Sequence, residues 1–350
     1  MRKAGRQKWA VWLLLAFLPA VWADTYYLSS ESGWQTTDSP EGKYLLSMSK
    51  LKQQLLTGKP AEAAAALEQI KTDFPDMAGK EIDSYIAAEK LYAAAKWDKA
   101  AALYKKFIDA WPDSILQPAA MERIYAIGAA YLQGHKRTFL KVLKLPAFDT
   151  GADLMRDVAD RAGQAPIALR ALTTLAENQE RREKFLDAYQ TWSEIKDRWP
   201  TGEVGRDALL RMARALHASY KGTEYDASVL PSAATYYEQY NGRYPDQAAQ
   251  LEIPAVLDTI EQQQAYKLYA TGFYYERTGR PEAARKYYTK VVTAQPDTAA
   301  AQMAQARLAP DAPPAVKKTL RRRTVGLTER FLDSWFGLAP LLGAKEKQGN

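Results

Sequence analysis

The sequence predicts an all-α protein, a solenoid of about five to six irregular helical hairpins followed by a C-terminal amphipathic helix. Three observations predict it. First, one spacing occurs five times: an alanine, a large apolar residue four positions later, and a proline eight positions after that. The copies are Ala63–Leu67–Pro75, Ala100–Tyr104–Pro112, Ala188–Trp192–Pro200, Ala233–Tyr237–Pro245 and Ala284–Tyr288–Pro296. A spacing that recurs every few tens of residues marks a repeat protein. Second, long β-branched runs with period-two alternation are missing, so almost no sheet is expected. Third, 350 residues that are 47% hydrophobic and 25% charged suit one elongated domain with no second fold.

From the N-terminus, Arg2, Lys3, Arg6 and Lys8 precede an apolar stretch from Trp9 to Leu18. Val21 and Ala23 then place small residues at the two cleavage-setting positions, so residues 1–23 read as a secretion signal with Asp24 as the mature start. The run is short for a membrane span, and an uncleaved N-terminal anchor is the alternative. The sequence has no cysteine, which removes lipid attachment at an N-terminal cysteine, disulfides and thiolate-bound metals. Residues 24–44 lack helical periodicity and carry Tyr26, Tyr27 and Trp34 among polar residues. They are expected either to lie extended along the first repeats or to form a flexible leader.

Residues 45–308 hold the repeats. Positions four apart share a helix face, so the alanine admits a neighbouring helix and the large residue fills the space beside it. Proline then ends the helix, because it has no N–H and biases the preceding residue out of the helical region. The residue after each proline, Asp76, Asp113, Thr201, Asp246 or Asp297, is expected to cap the next helix. Successive prolines lie 37, 88, 45 and 51 residues apart. The 88-residue interval predicts a drifted repeat, with Gly128 and Tyr131 on its first helix and Thr138–Leu145 as a shortened second one. The later intervals imply long helices or inserts, one of them at Lys221–Pro231.

After the repeats, residues 309–315 read as a stiff Pro/Ala linker. Residues 316–338 have helical spacing, with Leu320, Leu327, Phe331, Trp335 and Leu338 near one face and Phe336 beside them. Lys317, Lys318, Arg321, Arg322 and Arg323 crowd the start of that segment. A basic start followed by an aromatic stripe suits docking to a membrane surface or a partner. Packing over the open end of the solenoid and disorder are the alternatives. Residues 339–350 are read as a disordered tail.

The net charge of +7 comes from the two ends: +4 from the signal and +5 from residues 315–350, leaving −2 for the body. The basic balance is therefore no argument for nucleic-acid binding. Catalytic signatures are missing too. The two histidines, His135 and His217, have no acidic neighbour at metal-ligand spacing, and there is no phosphate-cradling glycine loop, HExxH pair or G-x-S-x-G elbow. No enzyme activity, cofactor or metal is expected.

The last repeat carries Gly272 and Tyr275, then Gly279, Ala284, Tyr288 and Pro296, and the second carries Ala88, Leu91, Ala100, Tyr104 and Pro112. This set resembles the tetratricopeptide repeat. Together with the signal, and above all with Glu261–Pro296, the chain resembles the BamD-type component of the machinery that inserts β-barrels into the bacterial outer membrane. One departure is the lack of a cysteine to acylate, where members of that family are usually lipoproteins. The resemblance implies a periplasmic scaffold, peripheral at the outer membrane. Its partners would be envelope proteins, among them an outer-membrane β-barrel with a periplasmic region. The alternative client is cell-wall, polysaccharide or export machinery. The resemblance also implies that first helices line the binding face. That face would hold Tyr266, Tyr269, Phe273, Glu276 and Arg277 in the last strong repeat, and Ile82, Tyr85, Glu89 and Tyr92 in the second.

Overall fold

The computed structural model describes residues 26–29, 33–36, 39–57, 60–139 and 143–310. It has the expected all-α repeat architecture, with fourteen helices among those residues. Twelve of them form six consecutive hairpins: α1 (Pro40–Thr57) with α2 (Pro60–Asp73), α3 (Lys80–Ala93) with α4 (Trp97–Ala110), α5 (Gln117–Leu132) with α6 (Phe148–Ala162), α7 (Pro166–Arg181) with α8 (Phe185–Arg198), α9 (Gly202–Ala218) with α10 (Val229–Arg243), and α12 (Ile253–Arg277) with α13 (Pro281–Ala294). The remaining two are the short α11 (Pro245–Gln250) and the terminal α14 (Ala299–Leu308). The chain divides into two compact units, up to Ala120 and from Met121 onward.

The recurring spacing works as the sequence implies. All five alanines and all five large residues four positions on are buried. In the first unit, Tyr104 meets Tyr85 edge-on at 5.6 Å, and Phe107 meets Tyr85 at 5.2 Å. In the second unit, the Ala188–Trp192 pair sits among Ala168, Leu172 and Met212. There the Ala233–Tyr237 pair sits among Leu209, Ala213 and Ile260.

Each helix also stops in the same way. Phe74, Trp111, Trp199, Tyr244 and Gln295 donate their backbone N–H to the carbonyl four residues back, at 2.8–2.9 Å. The last four then leave the helical region, with φ from −129 to −142 and ψ from 61 to 74. The following proline ring disfavours a helical conformation at the residue before it.

First helices end differently. At Ala95, Gly134, Glu183 and Gly279 the chain takes a positive φ. The N–H of each of these residues bonds three back and that of the next residue bonds five back, as in Lys96 to Leu91, His135 to Ala130, Lys184 to Gln179 and Arg280 to Tyr275. This is the Schellman arrangement, which satisfies the last carbonyls of a helix. Two of the four positions are not glycine.

Three expectations need correction. The residue after each proline is not the general cap. Thr201 makes no side-chain cap bond, and α14 is capped by Thr298, not Asp297, through a bond from the Ala301 N–H at 3.2 Å. The described residues of Thr138–Leu145 are strand, not helix. Strands β3 (Lys136–Phe139) and β4 (Leu143–Pro146) pair antiparallel, with Lys136 opposite Pro146 and Phe139 opposite Leu143. Pro146 forces the residue before it to be extended, and Thr138 and Phe139 favour strand. Finally, the N-terminal stretch is not simply extended. Strands β1 (Tyr26–Ser29) and β2 (Gly33–Thr36) pair as a hairpin, and α1 already begins at Pro40.

The true second helix of the drifted repeat is α6. It carries the same spacing in disguise: Gly151, buried Met155 four positions on, and Gly163 eight after that. With Gly163 in place of a proline, the 88-residue interval resolves into 51 and 37. The other long intervals are filled as expected, by the 25-residue α12, by α11 and by the loop between α9 and α10. That loop is tied down by Lys267, whose Nζ donates to the carbonyls of Thr223 and Tyr225.

Candidate protein-interaction face

Helix α12 carries all five residues expected on the last repeat's binding face: Tyr266, Tyr269, Phe273, Glu276 and Arg277. Pro254 in its first turn is pre-organised for a helical start, and the turn at Gly279 ends it. Ile253, Val256, Ile260 and Gln263 bury one side of its first half. Gly272 lets the helix approach α13 closely, because a Cβ there would lie 2.8 Å from the Tyr288 ring.

The adjoining side holds a run of half-buried rings. Tyr266 stacks on Tyr269 at 6.2 Å, and Tyr269 stacks on Phe273 at 6.2 Å with their planes 12° apart. The Arg277 guanidinium lies 5.4 Å from the centre of the Phe273 ring. Positions 266, 269, 273 and 277 follow the three- and four-residue steps of one helix face. Tyr269 also meets Tyr288 at 5.6 Å. Burial pushes its hydroxyl above the usual tyrosine range, which keeps the ring neutral.

Glu276 has another job. It accepts a hydrogen bond from Tyr288 Oη at 2.7 Å and is paired with the Arg307 guanidinium of α14. Both partners are mostly shielded, and the pairing raises the affinity of Arg307 for its proton. The same triad occurs two hairpins earlier: Glu180 Oε1 accepts from Trp192 Nε1 at 2.8 Å and Glu180 Oε2 from Arg211 Nη1 at 2.7 Å. In both triads the aromatic lies 12 residues and the arginine 31 residues after the glutamate. That spacing, like Gly151–Met155–Gly163, stands in the sequence, but only the contacts between helices single it out.

The residues expected on the α3 face are placed differently. Ile82, Tyr85 and Glu89 are buried, with Tyr85 filling the space between Tyr104 and Phe107. Only Tyr92 is half-exposed, 6.5 Å from Tyr104. Three of the four therefore belong to the packing of the hairpin. Lys317, Lys318, Arg321, Arg322, Arg323, Phe331, Trp335 and Phe336 lie outside the described residues.

Elsewhere the polar groups are mostly spent on structure. A cleft of about 110 Å³ beside α6 and α7 has charged walls, but Lys184 pairs with Asp149 at 3.6 Å and Arg182 covers the Phe148 ring at 3.9 Å. His217 is buried, with Nε2 2.9 Å from Gln263 Oε1, and desolvation lowers its pKa. Among the described residues there is no group of three or more His, Asp or Glu placed to hold a metal, and no helix is long and apolar enough to cross a membrane.

The profile of the tetratricopeptide repeat matches this chain twice, at residues 85–114 and 268–298. The first match covers most of α3 and α4 with the Trp111–Pro112 stop, and the second covers the end of α12 and all of α13. The chain thus carries tetratricopeptide repeats, the class of module that serves protein–protein interaction. No curated protein matches it.

Proposed function

We propose that this protein is a non-catalytic scaffold of the bacterial periplasm that holds envelope proteins during outer-membrane assembly, in the manner of the BamD-type component. The observation that supports the binding role is the stacked face of α12. Tyr269, Phe273 and Arg277 form a preformed apolar strip that a helical or extended peptide can cover, while Glu276 is committed to holding α14. Aromatic and arginine side chains dominate the energetics of such contacts. The periplasmic setting rests on the basic and apolar pattern of residues 1–23. Attachment at the outer membrane, in a chain with no cysteine to acylate, is assigned to the basic segment 317–323 and the aromatic positions Phe331, Trp335 and Phe336.

Affinity purification of the protein from its own envelope, followed by mass spectrometry, tests this reading. Recovery of an outer-membrane barrel with a large periplasmic region is the expected result. Recovery of wall-synthesis, polysaccharide or export proteins instead would assign the same face to an adaptor.

A further inference from the structure

The position of α14 bears on what covers the aromatic face. Helix α14 runs alongside α12 in the same direction: its first N–H, from Ala299, bonds Gln262 Oε1 at 3.1 Å, and its end is pinned by Arg307 on Glu276. Ala300, Ala301 and Ala304 face the core, and Gln302 and Gln305 face outward. The outer side of α14 also carries the exposed Met303, 36% accessible, beside those glutamines.

The described chain ends at Pro310, three residues after Arg307. Arg307 is held by Glu276, which stands three residues after Phe273 and next to Arg277 on α12. Forty residues follow. Residues 311–315 span roughly 15 Å if extended. Residues 316–338, with the helical spacing of Leu320, Leu327, Phe331, Trp335 and Leu338, would be about 35 Å long, close to the length of the 25-residue α12.

We infer that residues 316–338 of this same chain dock along the α12 face, placing the Phe331–Trp335 stripe on Tyr269 and Phe273. Tethering favours this occupant over a free peptide, since a short linker holds the segment at an effective concentration in the millimolar range. The inference rests on the reading of α12 as the binding face and adds its regulation: an external partner must displace the protein's own tail. Displacement also frees the aromatic positions for a membrane surface, which couples partner binding to attachment.

Hydrogen exchange on the full chain, read by mass spectrometry, tests this. Peptides from 316–338 should exchange at least about tenfold more slowly than an unfolded reference. Both Phe273→Ser on the face and Trp335→Ser on the tail should abolish that slowing while α13 and α14 stay protected. Tail peptides that exchange like an unfolded chain, or protection that survives Phe273→Ser, would overturn the inference. So would protection that disappears on dilution, because the occupant would then be the tail of a second copy. None of these results depends on which envelope protein is captured, so the inference and the scaffold reading can fail separately.

Discussion

Glu276 accepts the hydrogen bond of Tyr288 at 2.7 Å across the turn of the last hairpin, and the same carboxylate holds Arg307 of the next helix. One residue thereby ties three consecutive helices. Glu180 does the same for Trp192 and Arg211. Such charge-assisted bonds contribute about 1.5–3 kcal/mol when partly shielded. Glu276→Ala and Glu180→Ala should each lower unfolding stability by about 2 kcal/mol in urea titrations. The double variant should lose close to the sum, since the two triads share no residue.

Gly128 and Gly151 cross at close range. A Cβ on Gly151 would lie 2.9 Å from the Gly128 carbonyl oxygen, a backbone atom that cannot rotate away. Gly151→Ala should cost about 1–3 kcal/mol through overpacking. Gly242→Ala is the control, because a Cβ there meets nothing within 4 Å and the residue lies inside α10. It should be neutral or stabilising by up to about 1 kcal/mol. Equal effects at the two positions would remove the close crossing of α5 and α6.

Ala95 and Glu183 occupy turn positions with φ of 54 and 56, where the equivalent turns use Gly134 and Gly279. A side chain in this conformation is strained by about 1 kcal/mol, which glycine avoids. Ala95→Gly and Glu183→Gly should therefore raise the denaturation midpoint, against the usual destabilising effect of glycine in a helical protein.

His217 sets a pH dependence. It is buried beside Gln263 and edge-on to Tyr237 at 6.1 Å, and burial lowers its pKa below the ordinary 6.5, with the Gln263 bond a smaller opposing effect. The unfolded chain takes up the proton first as pH falls. The stability linked to this residue is thus fully present above about pH 6.5 and is lost progressively below it. Melting curves from pH 7.5 to 5 should show this decline, and His217→Gln should flatten it.

Reversing the charge of Arg321, Arg322 and Arg323 to Glu should move the protein from the membrane fraction to the soluble fraction with an unchanged melting temperature. Fractionation that stays the same would remove the attachment role of that segment.

The sequence by itself determined the repeat and its punctuation. A proline that ends a helix, and a small and a large residue four apart, act within one or two turns, so Ala188–Trp192–Pro200 and its counterparts read directly from their order. It also placed Gly128 and Tyr131 on a first helix. Tertiary structure alone decided which apolar residues are covered. Tyr85 and Tyr269 both stand on first helices beside an aromatic partner, yet Tyr85 is sealed between Tyr104 and Phe107 while Tyr269, packed against Tyr288, is only partly buried. Nothing local to either residue distinguishes them, because burial is set by what the next helix brings. The drifted repeat followed the same logic. Glycine could replace alanine at position 151 and methionine could replace the aromatic at 155 because packing requires only a small residue beside a large one. Once that contact was kept, a strand hairpin could be inserted before α6 without disturbing the stack.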